Sequence, residues 1–127
     1  MDAQSNNLNW FEIPVIDLAR AKSFYESIFD INMDSQEMGE MQLAFFPYEP
    51  GSGKAAGGLA QSKMHIPSKD GAIIYLNANP SLDEPLSKVE AAGGQVIMPK
   101  TQITEEYGYM AFFFDTEGNR VGLHSQE

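Results

Sequence analysis

Trp10-Phe11-Glu12-Ile13-Pro14-Val15-Ile16-Asp17-Leu18-Ala19-Arg20-Ala21-Lys22-Ser23-Phe24-Tyr25 changes its hydrophobic period halfway along. Residues 8–15 alternate as a strand does, with Trp10, Glu12 and Pro14 on one face and Phe11, Ile13 and Val15 on the other. Pro14 has no N–H to give to a ladder, so it belongs near the end or at an edge of that strand. Asp17 is placed to cap a helix, its carboxylate accepting from the free N–H groups of the first turn. Leu18, Ala21, Phe24, Tyr25 and Ile28 then recur at helical spacing and form an apolar stripe that must pack on a sheet.

Working outward, residues 31–37 and 41–47 read as two short strands joined tightly at Gly39. Residues 48–54, with Pro50, Gly51 and Gly53, form a loop, and 55–61 a fourth strand. A polar loop over 62–70 holds His65, Pro67 and the turn signal Asp70-Gly71, and 72–77 is a strand. Ser81-Leu82-Asp83-Glu84 matches a capping box for a second helix, with Leu82, Leu86 and Val89 on its apolar face and Gly93-Gly94 as its stop. Strands over 95–98, 109–115 and 120–124 follow, the last two joined by a turn over 115–119. The order is strand, helix, three strands, twice over. That predicts an α+β fold of two βαβββ modules, about 8–61 and 71–125. No Gly, Ser or Pro linker separates them, so 1–127 is expected as one unit, its modules pairing within one chain or across two.

Composition narrows the function classes. With 43% hydrophobic residues the chain can bury a core. Its apolar runs are far shorter than the roughly 20 residues of a membrane helix. Residues 1–7 carry neither a basic nor an apolar segment, which argues for a frayed end rather than a signal peptide. There is no cysteine, which excludes disulfides and thiolate ligands and fits a cytoplasmic location. Eighteen acidic against eight basic side chains give a net charge of -10, a field that repels phosphate backbones and disfavours nucleic acid. That field keeps a protein soluble and could help to collect a cationic ligand. No phosphate-cradling glycine loop and no Gly-x-Ser-x-Gly motif is present.

Three segments carry a family likeness. The stretch Trp10 to Tyr25 looks like an opening strand with an Asp-Leu helix start and Phe-Tyr on the buried helix face. Glu90-Ala91-Ala92-Gly93-Gly94-Gln95-Val96 looks like the end of a second helix, and Phe114-Asp115-Thr116-Glu117-Gly118-Asn119-Arg120-Val121-Gly122-Leu123 like a closing hairpin. In this order and spacing the chain, from about Leu8 onward, resembles the vicinal-oxygen-chelate superfamily of glyoxalase I, bleomycin- and fosfomycin-resistance proteins and extradiol dioxygenases. The resemblance implies curved mixed sheets enclosing a cleft. There, four side chains hold a divalent metal that chelates two adjacent substrate oxygens. It also implies a homodimer.

Placed on this sequence, the four ligand positions fall on Trp10, on Gly58 or Leu59, on Ile73 and on Gly122. Indole offers only an N–H, and carbon or hydrogen side chains cannot hold a divalent ion, so the family's usual metal site is expected to be missing. If Trp10, Ile73 and Gly122 face the cleft, alternation adds Glu12, Tyr75, His124 and Gln61, a polar set able to grip a small molecule. Glu12 and His124 are candidates for an acid–base pair, although the plainer reading of His124 is a solvated residue near the chain's end. Glu12 needs a partner or a wet cavity, because an unpaired buried carboxylate is costly. Trp10 suits stacking on a flat ligand or filling a core. His65 is expected to be exposed, and the Met residues and Phe112 to Phe114 to fill the core.

The leading expectation is therefore a protein that binds a small molecule in the inter-sheet cleft with no metal cofactor. The alternative is a glyoxalase-like lyase, isomerase or dioxygenase with a displaced divalent metal held by Glu12, His124 and either Gln61 or a residue of a partner chain.

Overall fold

The computed structural model describes residues 1–127 and contains ten elements. In chain order they are β1 (Trp10–Pro14), α1 (Leu18–Phe29), β2 (Asp34–Met38), β3 (Met41–Phe45), β4 (Ala56–Gln61), β5 (Tyr75–Asn77), α2 (Asp83–Lys88), β6 (Gln95–Thr104), β7 (Gly108–Phe114) and β8 (Arg120–Ser125). They form two four-stranded mixed sheets, ordered β1-β4-β3-β2 and β5-β8-β7-β6. The fold is thus α+β, two βαβββ modules. In each, the first strand lies parallel to the last and the others pair antiparallel. No helix is long and apolar enough to cross a membrane.

The period change after Val15 marks the end of β1. Asp17 caps α1, its Oδ1 accepting from Arg20 N at 3.1 Å, and Leu18, Ala21, Phe24, Tyr25 and Ile28 are all buried. Each sheet has one face towards the helices and one away from them. The rows Ile13–Leu59–Ala44 and Leu76–Leu123–Ala111 belong to the core. The opposite face carries Glu12–Gly58–Phe45 on one sheet and Tyr75–Gly122–Phe112 on the other. Full burial of one large apolar side chain is worth about 1.5–3 kcal/mol, which fixes this register against a one-residue slip.

Both modules feed one apolar cluster. Phe24 of α1 packs on Phe113 of β7 with ring centroids 5.6 Å apart. A polar hub from the Asp115–Asn119 turn closes the junction beside it. Asp115 Oδ1 accepts from the backbone N–H groups of Glu117 and Asn119, and its Oδ2 from the Tyr25 hydroxyl at 2.7 Å and from Asn119 Nδ2. Asn119 Nδ2 also donates to Pro14 O, tying the start of β8 to the end of β1. Glu117 reaches further, accepting from Ile16 N and Asp17 N and, through two bonds, from Arg20. Burial alone would raise the Glu117 carboxyl. The Arg20 guanidinium, the Asp17 and Ile16 amides and the Thr116 hydroxyl outweigh it and hold the group down to about 2. Burial, reinforced by the neighbouring Asp115 charge, keeps the Tyr25 phenol protonated well above its ordinary range.

The second module departs from its sequence reading in three places. The Ser81–Glu84 capping box does not form: Glu84 pairs with Lys88 at 3.7 Å, and Ser81 Oγ accepts only from Asp83 N at 3.3 Å. Instead the buried Ser125 hydroxyl at the end of β8 takes the Leu82 N–H, so tertiary packing supplies the cap. The first strand of this module is cut to Tyr75–Asn77, and residues 72 and 74 ahead of it line a cavity. β6 runs on to Thr104, six residues beyond Met98, absorbing Pro99 through register irregularities against β7.

Candidate functional site

Glu12 projects from the open face of β1, and its register partner Gly58 places no side chain beside it. A Cβ on Gly58 would lie 2.6 Å from Ala44 O, so close strand packing requires glycine there. The loop after β4 turns back over this spot. His65 N donates to Ser62 O and Met64 N to Ser62 Oγ, and the tight turn presents the His65 ring to β1. His65 Nε2 lies 2.8 Å from Glu12 Oε1, His65 Nδ1 2.6 Å from Ser62 Oγ, and Trp10 Nε1–H donates to Glu12 Oε2 at 3.2 Å. A carboxylate only accepts, so the neutral ring carries its proton on Nε2 and takes the Ser62 O–H at Nδ1. The result is a relay, Ser62–His65–Glu12–Trp10, oriented at every link.

Next to Glu12 opens a cavity of about 230 Å³ between the two modules. Its walls are Glu12, Ile13 and Pro14 of β1, Ile66, Ser68 and Ala72 of the connecting loop, Ile74, and Asn119, Arg120 and Val121 at the start of β8. Arg120 is partly buried, its Nε is shut off from solvent with no hydrogen-bond partner, and none of the five ion pairs of the chain includes it. A second cavity, about 520 Å³, lies between Leu8, Phe11, Phe46 and residues 74–77, and no charged side chain lines it. Its polar groups, Tyr75, Asn77 and Asn79, are all neutral, whereas the first combines apolar walls with a carboxylate and a cation.

The sequence-derived residues separate accordingly. Trp10 and Glu12 meet at the relay. Tyr75 lies on the open face of the other sheet, its ring tilted against Phe112 with centroids 5.6 Å apart, and lines the larger cavity. Gln61 is not a ligand-facing group but an α1 capping group, its Oε1 accepting from Leu18 N at 2.8 Å. His124 does not meet Glu12: its Nε2 is bonded to Tyr107 O at 2.6 Å. The reason is direction. The bond from Asn119 to Pro14 puts the beginning of β8 against the end of β1, so Arg120 reaches the Glu12 end and His124 points away from it. His65, expected to be exposed, is instead 20% exposed at its side chain and is the true partner of Glu12. Arg120 was legible in principle, since the two-residue step from Gly122 to His124 also leads back to Arg120. His65 carried no such periodic signal, because a loop has no period.

The donor positions for a family-type metal can be tested directly. Trp10 spends its N–H on Glu12, Leu59 points into the core so that Gly58 holds the open-face position, and neither Ile73 nor Gly122 offers a lone pair. At Gly122 the space is taken, because a Cβ there would lie 2.6 Å from the Tyr75 ring. No group of three His, Asp or Glu side chains is arranged to hold a metal ion. These residues do not fit a divalent ion at the usual position.

Comparison with known proteins agrees with this architecture. A provisionally named glyoxylase, CFP32, of Mycobacterium bovis is 27% identical over 91% of this chain, and an identically named Mycobacterium tuberculosis protein matches equally. The chain covers 44% of each, less than half of their length. Among solved structures, a glyoxalase/bleomycin resistance protein from Albidiferax ferrireducens superposes with a TM-score of 0.68 at 17% identity, covering 96% of this chain and all of that one. One from Streptomyces gives 0.67 at 22% identity over 94% of this chain and all of its own. A mutant glyoxalase I from Zea mays gives 0.66 at 16% identity, over 93% of this chain and 45% of its own. The family model of the Glyoxalase/Bleomycin resistance protein/Dioxygenase superfamily matches residues 7–123, and the chain belongs to that superfamily.

Proposed function

We propose that this protein binds a small organic molecule in the cavity beside Glu12 and does so without the divalent metal of its superfamily. The observation that carries the reading is a contrast within one face. The four positions that would ligate a metal hold Trp10, Gly58, Ile73 and Gly122, while an apolar cavity with Glu12 and Arg120 in its wall stays open between the modules. A binding site is typically concave and mostly apolar, with a few polar groups that fix orientation, and this cavity has that composition. Its 230 Å³ lies below the range of roughly 300–1,000 Å³ for drug-sized ligands, which points to a cargo of metabolite size.

Native mass spectrometry together with elemental analysis tests this reading on protein purified without chelators or a metal-affinity tag. The expected result is a stoichiometric organic adduct, or its uptake from a fragment mixture, with metal well below one equivalent. A divalent ion at full occupancy would overturn the metal-free reading. Trp10, the only tryptophan, is bonded to Glu12 and reports occupancy by its fluorescence.

A further inference from the structure

Resting on the same cavity reading, we infer that the ligand is a small carboxylic acid whose carboxylate pairs with Arg120. An arginine cannot shed its proton in a protein, so a partly buried guanidinium must be met by an anion, a carbonyl or water. Every carboxylate close to Arg120 in sequence is committed elsewhere. Asp115 is bonded to Tyr25 and Asn119, and Glu117 to Arg20. Glu12, in the same cavity wall, is bonded to His65 and Trp10. Arg120 thus stands without an ion pair in a cavity whose one carboxylate, Glu12, is turned to His65 and Trp10 instead.

The net charge of -10 does not contradict an anionic ligand. Exposed charges act through solvent and are screened beyond about 8–10 Å in physiological salt, while a guanidinium–carboxylate pair acts at contact. A single cation suits a monoanion, whereas a phosphate dianion needs more donors than Arg120 alone supplies. Ile13, Pro14, Ile66, Ile74 and Val121 make most of the cavity wall apolar, so the acid carries a short hydrocarbon or aromatic body.

The probes are benzoate and its neutral isostere benzamide, each titrated into isotopically labelled protein with backbone amide shifts as the readout. Benzoate is expected to move the amides of Gly71, Ala72 and Val121 and to bind at least about ten-fold tighter than benzamide, the amount expected for one charge-assisted hydrogen bond. R120Q should abolish that preference, and R120K, which keeps the charge but loses the planar fork, should retain only part of it. Equal binding of the two probes, or an undiminished preference in a folded R120Q, would overturn the carboxylate inference and leave the cavity as a binding site for neutral molecules. If neither these probes nor a set of amine and alcohol fragments moves the cavity amides, the cavity reading falls with it.

Discussion

Arg20 and Arg120 both bring a guanidinium to the junction between the modules, and the chain treats them in opposite ways. Around Arg20 the buried polar groups are closed by one another. Glu117, with its side chain fully buried, accepts from Arg20, from two backbone amides and from Thr116, and the adjoining Asp115 is saturated by Tyr25, Asn119 and two further amides. Around Arg120 the same chemistry is left open: its Nε is buried without a partner, and the residue stands in the wall of a cavity. Buried polar groups that hold a fold are completed by the fold itself, because an unpaired one costs about 1–3 kcal/mol. A group left incomplete beside a cavity is a stability cost, and a ligand is one thing that can relieve it.

The sharpest way to break this contrast is to damage the closed side. Glu117→Ala removes the acceptor of the Ile16 and Asp17 amides as well as the partner of Arg20, and should destabilise by roughly 2–4 kcal/mol in urea unfolding. The same residue sets an acid limit. Its folded pKa of about 2 lies below the ordinary 4.5, so its contribution is complete above pH of about 4.5 and is lost as pH falls towards 2. In Glu117→Gln that acid-dependent segment of the stability curve should flatten.

A smaller loss is expected from Tyr25→Phe, about 2 kcal/mol, because Asp115 keeps three of its four donors. Gly122→Ala tests the filled metal position. The added Cβ must push the Tyr75 ring aside, but that ring is 48% exposed and can yield. Melting should report a cost of about 1 kcal/mol, and the ring resonances of Tyr75 should shift. On the open side the sign reverses. Arg120→Met removes the orphaned donor and should stabilise the free protein by about 1 kcal/mol while abolishing its preference for acids. Loss of stability in that variant would show that Arg120 belongs to the scaffold.

Much of the scaffold could be read directly. The alternation of residues 8–15, the Asp17 cap and the Leu18–Ile28 stripe depend on local geometry, and each has its place in the structure. The turn over 115–119 was legible as a turn, but its role as a hub was not, since Tyr25 and Arg20 reach it from about 90 to 97 residues away. Glu12 was legible as a carboxylate in need of a partner. Its partner was not, because strand periodicity names a face and says nothing about which loop folds over that face. Alternation therefore offers His124 as a candidate partner of Glu12, whereas a turn at Ser62 brings in His65.

The amino-acid order alone determined the two βαβββ modules and the core-facing rows, because these follow from period and capping within a few residues. Tertiary structure alone decided that His65 orients Glu12, that Ser125 rather than Ser81 serves the Leu82 amide, and that Arg120 is left without a partner. Those outcomes depend on which distant segments the shared core brings within hydrogen-bond reach, and a sequence pattern has no term for that distance.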